Sequence, residues 1–152
     1  MSDRRQSMEE KISFQLFFMG LFGLLLTAGL CIAVFHNAFQ EQVWAGLRTA
    51  CTEVSAAYSY LSEPQELAGF AADDLRLTLI DESGNVLYDS AVSKELENHL
   101  SRPEIQQALA NGSGQSDRDS ATMGYRTYYY AIRLSDGNIL RLAQDAKDTW
   151  SI

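Results

Sequence analysis

Leu75-Arg76-Leu77-Thr78-Leu79-Ile80-Asp81-Glu82-Ser83-Gly84-Asn85-Val86-Leu87-Tyr88-Asp89 is the stretch on which the fold turns. Leu75, Leu77 and Leu79 alternate with Arg76, Thr78 and Ile80, the period of two that a strand requires. Asp81 to Asn85 has turn composition, and Val86–Asp89 returns as the second strand of a hairpin.

Upstream, Pro64 and Gly69 mark a linker. Before them, Val43, Leu47, Ala50, Val54, Ala57 and Leu61 recur in alternating steps of four and three, beside a second stripe of Trp44, Cys51 and Tyr58. These predict a long amphipathic helix over 36–64 that ends near Pro64. One stripe is expected on the sheet. The other, with Val43, Leu47, Ala50, Val54 and Ala57, is a candidate dimer seam, the alternative being that the whole face packs on the chain's own domain.

Further upstream, no charged side chain stands between Lys11 and Glu41, and Ile12–Phe35 is almost continuously apolar. As a helix it extends about 36 Å, enough to cross roughly 30 Å of hydrocarbon. A cleaved signal would carry a shorter apolar run with small residues at its end. Residues 12–35 are therefore expected to be a retained transmembrane helix. Arg4, Arg5 and Lys11 precede it and the next basic residue is Arg48, which keeps residues 1–11 cytoplasmic and places 65–152 outside the cell membrane. Gly20, Gly23 and Thr27 (with Cys31) lie on one side, at spacings that allow close helix approach.

Downstream of the hairpin, Ser93 can cap a short helix through Leu100. Ser101 with Glu104 reads as a capping box with Pro103 in the first turn, opening a helix with Ile105 and Leu109 that ends at Gly112. Ser113–Ser120 is an edge strand or a loop. Tyr125–Leu134 is a long strand with Tyr128, Tyr130, Ile132 and Leu134 on one face. Ser135-Asp136-Gly137-Asn138 turns it into Ile139–Gln144. The expected class is α+β: an antiparallel sheet with a helical insertion on one side and the long first helix free to cover the other.

This order resembles the extracytoplasmic sensor domains related to PAS folds, the PDC or Cache-like group. The hairpin Leu77–Ser90, then Leu96-Glu97-Asn98-His99, Arg102-Pro103-Glu104-Ile105, Ala108-Leu109-Ala110-Asn111-Gly112, Tyr128-Tyr129-Tyr130-Ala131 and Gly137-Asn138-Ile139-Leu140-Arg141-Leu142-Ala143 resemble, in sequence order, the sensor domain of phosphate-regulon-type histidine kinases. The resemblance implies a homodimer whose membrane and juxtamembrane helices carry a stimulus to a histidine kinase and its response regulator. At Trp150-Ser151-Ile152, where the family enters a second membrane helix, the sequence stops, so the kinase core is absent and a response regulator is reached only through it.

The whole chain has a net charge of −8, and the part from His36 onward carries nine Lys/Arg against seventeen Asp/Glu. That field disfavours nucleic acid as a partner. Cys31 and Cys51 sit about 30 Å apart along the helix, too far to bridge within one chain. Cys51 reads as a small buried side chain, a disulfide across a dimer axis being the other reading. Asp81, Asp89 and His99 lack the spacing of a metal-ligand set, and no nucleophile elbow or phosphate loop is present. No catalytic residue, metal or cofactor is expected. His99 lacks the acidic neighbour of a phosphoacceptor and reads as a structural group between helices.

A ligand pocket in PAS-like domains lies between sheet and insertion. Its candidates here are Asp89, Ser90, His99, Arg102, Tyr128 and Tyr130, for a small-molecule or protein stimulus. Against this stands a filled core, with both tyrosines packed and Arg102 tying insertion to sheet. The competing functions are a free-standing membrane-anchored module that modulates a receptor complex and a pilin-like structural subunit. The latter lacks the Gly-Phe junction and following Glu of such proteins.

Overall fold

The computed structural model describes residues 2–72, 74–92, 96–119 and 126–146. Helix α1 spans Ser2–Tyr58. The chain divides into two compact units, Met1–Glu41 and Gln42–Ile152.

In the first unit, the helix has the length and composition of a membrane span, with a mean hydropathy of 2.3 in its most apolar window and none of that window buried. Gly20 and Gly23 have open space where a Cβ would stand. The hydroxyl of Thr27 donates to the Gly23 carbonyl at 2.7 Å, so the one polar group on this face is satisfied within its own helix.

In the second unit, the helix ends at Tyr58, earlier than the expected Pro64. Tyr60 N–H donates to Ala57 O at 2.9 Å and Leu61 N–H to Tyr58 O at 3.1 Å, which tightens the last turn. Residues Pro64–Phe70, expected as linker, form a short 3-10 helix. Glu63 N–H donates back to Glu66 Oε1 at 3.2 Å, and Leu67 is fully buried. That side chain is why the segment is ordered: it plugs one end of the core.

Five strands follow: β1 Leu75–Ile80, β2 Val86–Asp89, β3 Ser113–Asp119, β4 Arg126–Arg133 and β5 Ile139–Ala146, with α2 Pro103–Asn111 between β2 and β3. Their order is β2-β1-β5-β4-β3, and every pairing is antiparallel. The class is α+β and the architecture PAS-like. Ser113–Asp119 is thus an edge strand. Tyr125, the expected first residue of β4, lies outside the described residues.

The turn between β1 and β2 closes through Asn85 N–H to Asp81 Oδ1 at 2.8 Å, with Gly84 at φ 86, a conformation open to glycine. Leu96–His99 is not helical, contrary to expectation. His99 N–H donates to Gly84 O at 2.7 Å and Asn98 Nδ2 to Ser83 O at 2.8 Å. The segment spends its donors on the turn beneath it rather than on a helix of its own. Ser93, the expected cap, lies outside the described residues.

Helix α2 starts one residue later than the capping-box reading implies. Arg102 occupies the N-cap position without a side-chain cap, and Pro103 opens the helix, where its missing N–H costs nothing. Glu104 does not turn back to the cap because it is drawn to the sheet. The helix stops at Gly112, φ 85, whose N–H donates to Ala108 O at 2.9 Å.

Two cores result. On one face of the sheet, Leu77, Leu79, Tyr128, Tyr130, Leu140 and Leu142 pack on Leu47, Cys51 and Val54 of α1. Trp44 meets Tyr128 edge-on at 5.1 Å. On the other face, Ile80, Ala131 and Ile139 pack on Ile105 and Ala108 of α2. Leu47 and Val54, placed in the candidate dimer seam, are 1% and 5% exposed, while Val43 and Ala50 also pack on this core. Ala57 is half-buried beside them. Both stripes of the helix face, Ala57 apart, therefore pack on the sheet of the same chain. Outward lie Gln42, Ala45, Gly46, Arg48, Thr49, Thr52, Glu53 and Ala56, with Ala45, Thr49, Thr52 and Ala56 forming an uncharged stripe among them.

Candidate functional site

Strand alternation fixes what the α2 face of the sheet presents. Register pairs Thr78 with Arg141 and Arg76 with Ala143 across β1 and β5, and Ala131 with Arg141, Tyr129 with Ala143 and Thr127 with Asp145 across β4 and β5. Strand β3 adds Gly114, Ser116 and Arg118 opposite Ala131, Tyr129 and Thr127. Side chains two apart share a face. The α2 face thus carries successive rows: Thr78-Arg141-Ala131-Gly114, then Arg76-Ala143-Tyr129-Ser116, then Asp145-Thr127-Arg118.

Helix α2 covers the first row closely. A Cβ on Gly114 would collide with the Glu104 carbonyl and stand 2.6 Å from Gln107 Cβ. Among the described residues the later rows stay uncovered and form an open pocket of about 860 Å3, floored by Ala143 and bounded by Arg76, Arg102, Arg118, Tyr129, Asp74 and Asp145.

Beneath the pocket is a polar network in the protein interior. Glu104 is fully buried and Arg141 is 4% exposed, with Arg141 Nη1 at 3.5 Å from Glu104 Oε1. Arg118 and the Ser116 hydroxyl both donate to Glu104 Oε2. Burial pushes the Glu104 carboxyl up, and the hydrogen bonds from Ser116 and Arg118 more than offset it, so it stays ionised below the usual range. Arg141 donates to the Thr78 hydroxyl at 3.1 Å, which donates to Asp89 Oδ2 at 2.9 Å. Asp89 also receives Arg76 Nε at 3.0 Å and the Ala91 N–H at 3.0 Å. Burial raises this carboxyl as well, and these donors together hold it low. Tyr129 lies between two guanidinium groups, 4.4 Å from Arg118 and 5.3 Å from Arg141, a cation–π pair that fixes the pocket wall.

The six pocket residues expected from sequence divide three ways. Ser90 and Arg102 line the cavity. The Ser90 hydroxyl accepts the Leu77 N–H at 3.0 Å, and among the described residues Arg102 has no ion pair. Asp89 and His99 lie beneath it. Asp89 is held in its network, and His99 is 6% exposed with Nδ1 unpartnered. Burial first, then the Arg141, Arg102 and Arg76 charges, drive the His99 imidazole down to about 4, against an upward pull from Glu104. Tyr128 and Tyr130 do not line the pocket, because their parity sends them to the α1 core.

Tyr129, Arg76, Arg118 and Arg141 belong to the site and were not singled out from sequence. Parity within Tyr128-Tyr129-Tyr130 was the available signal for Tyr129. For Arg141, the signal was a charge in the middle of the apolar run Ile139–Ala143. Cys51 is fully buried with its thiol 3.7 Å from the Leu140 carbonyl, and burial pushes it up to about 12. Among the described residues no group of three His, Cys, Asp or Glu is placed to hold a metal ion.

No protein-family model matches the chain, and no curated protein does. Solved structures do. An extracellular domain assigned to a histidine kinase, rpHK1S-Z16, is similar over 62% of this chain and 37% of its own, at 16% identity and a TM-score of 0.39. The Bacillus subtilis YkuI protein, which has an EAL domain and was solved with c-di-GMP and calcium, is similar over 68% of this chain and 31% of its own, at 15% identity and a TM-score of 0.44. The chain thus spans about a third of each of these.

Proposed function

We propose that this chain is the sensory input part of a membrane receptor of the two-component kind: a PAS-like domain outside the cell membrane whose state is passed through α1 to a histidine kinase. The observation that supports this most directly is a division of labour between the two faces of one sheet. The α2 face carries an open, charged pocket. The opposite face packs Leu77, Leu79, Tyr128 and Tyr130 on Leu47, Cys51 and Val54, residues of the same helical element that contains the apolar span. Central strand β5 contributes Asp145 and Ala143 to one face and Leu140 and Leu142 to the other. An occupant that shifts the strand on one side changes the surface on which the helix rests on the other. Proteins convert binding into motion when a packed element has two arrangements that the ligand stabilises differently.

In this reading the N-terminus is cytoplasmic, and the chain acts as a homodimer through the outward stripe Ala45, Thr49, Thr52 and Ala56 together with Gly20, Gly23 and Thr27 in the span. Two tests apply. Single cysteines at Thr49 and Thr52 should crosslink in membrane vesicles while one at Val54 should not; monomer at all positions contradicts the dimer. Residues 1–152 joined ahead of a second membrane helix and a kinase core should give autophosphorylation that changes when Arg102 or Asp145 is substituted. Constant output across these substitutions would refute the sensory role.

A further inference from the structure

We infer that segment 96–100 is an acid-released latch: with His99 neutral it pins the β1–β2 turn to the start of α2, and with His99 protonated it lets go. As regulation of the pocket that Arg102 helps to wall, the latch rests on the sensory reading above. The segment is neither helix nor strand, and His99 is its one buried side chain: Glu97, Asn98 and Leu100 are exposed and Leu96 is half-buried. Around that plug the backbone is tied in both directions. His99 N–H donates to Gly84 O at 2.7 Å, and its carbonyl accepts the Arg102 N–H at 3.0 Å. Asn98 Nδ2 donates to Ser83 O at 2.8 Å and to Asn85 Oδ1 at 3.1 Å. The segment lies flush on the turn, since a Cβ on Gly84 would stand 2.5 Å from Leu100 N.

The imidazole is 6% exposed, and its buried Nδ1 has no hydrogen-bond partner among the described residues. A neutral ring tolerates this by leaving Nδ1 as a bare acceptor. An imidazolium carries a proton on both nitrogens, and at Nδ1 that proton would be a buried donor with nothing to receive it. The charges around the ring oppose it too. Arg141 of β5, Arg102 at the cap of α2 and Arg76 of β1 repel a proton there, while Glu104 of α2 attracts it. Glu104 Oε2 already accepts from Ser116 and Arg118. From β2, Asp89 already accepts from Arg76, Thr78 and the Ala91 N–H. Burial first, then the guanidinium groups, hold the ring down at about 4 against an ordinary 6.5. A proton therefore favours the state in which the ring has left for water. With it goes the carbonyl that holds the Arg102 N–H, so the first turn of α2 and that end of the pocket wall loosen together.

Hydrogen exchange of the full chain in lipid nanodiscs, at about pH 7 and about pH 5 and corrected for each amide's intrinsic rate, reads the latch. The released ring regains its ordinary proton affinity, so the opening equilibrium should rise about twentyfold over that range. Peptides covering 96–102 should lose protection by that factor, and dilute urea should leave their exchange unchanged, because a local opening exposes little surface. Peptides covering 139–144 on β5 should exchange more slowly at both pH values and respond to urea. His99→Gln should give 96–102 the same protection at both pH values, tight or loose. No loss in wild type, a loss that follows β5 in urea, or a loss that persists in His99→Gln would overturn the inference. Exchange reads the latch alone, and the kinase fusion reads the sensor alone. An acid-loosened 96–102 beside a fusion of constant output keeps the latch and removes the sensor; an unmoved 96–102 beside a responsive fusion does the reverse.

Discussion

Acidification should weaken this domain well before its carboxylates titrate, through His99. The imidazole takes a proton near 6.5 in an ordinary setting and only near about 4 in the fold. Between those values the unfolded chain binds the proton and the folded one does not, so stability is complete above 6.5 and falls as pH falls. From about pH 7 to about pH 5 the loss is about 2 kcal/mol at 1.36 kcal/mol per pKa unit. The groups around the ring are Arg141, Arg102, Arg76 and Glu104. The arginines keep their charge throughout, and Glu104 and Asp89 are both held below the usual carboxylate range. Their contribution is present above the ordinary carboxylate pKa and goes only as pH drops further. The measurement is urea unfolding of the full chain in mild detergent at both pH values, followed by tryptophan fluorescence, since Trp44 meets Tyr128 edge-on at the core. Wild type should lose about 2 kcal/mol and His99→Gln under about 0.5 kcal/mol. Equal losses in the two proteins would refute the reasoning.

Three further outcomes follow from the same geometry. Glu104→Ala leaves Arg141 and Arg118 without their buried partner and should cost about 3–5 kcal/mol, read as loss of protease resistance or of a cooperative melt; Glu104→Asp should fall between. Gly114→Ala forces a methyl into the α2 backbone and should lower stability by about 1–3 kcal/mol, seen as a reduced melting midpoint. Cys51, fully buried and with its pKa pushed up to about 12, should resist a thiol reagent in the native protein and react on unfolding. Reaction of native protein at the rate of the unfolded chain would contradict its placement.

The elements that local pattern specifies were legible in sequence. The two-residue period of Leu75–Ile80, the glycine after α2 and the apolar span each follow from a rule that needs only neighbours along the chain. What failed to show was what distant residues impose. Glu104 has the spacing of a capping-box partner to Ser101, yet two arginines more than a dozen residues away in sequence claim it. Asn98 and His99 fit a short helix, yet the turn at Gly84 offers them partners. The heptad stripe through Leu47 and Val54 suits a partner helix as well as a sheet, and spacing alone does not choose. In the pocket, Tyr128 and Tyr130 stand out because they share a strand face with Ile132 and Leu134, but that apolar face is the one α1 covers, and parity leaves Tyr129 to face the insertion.

The margins of the sheet bear on how the domain tolerates crowding by copies of itself. Strand β2 has four residues, too short to template another chain. Strand β3 ends in Asp117, Arg118 and Asp119, and its Gln115 N–H is already taken by Gln107 Oε1 at 3.0 Å. Exposed strand margins are where β domains recruit one another into aggregates, and charge, brevity and occupied donors are how folds prevent it. Copies brought side by side would find, among the described residues, no bare strand margin to extend.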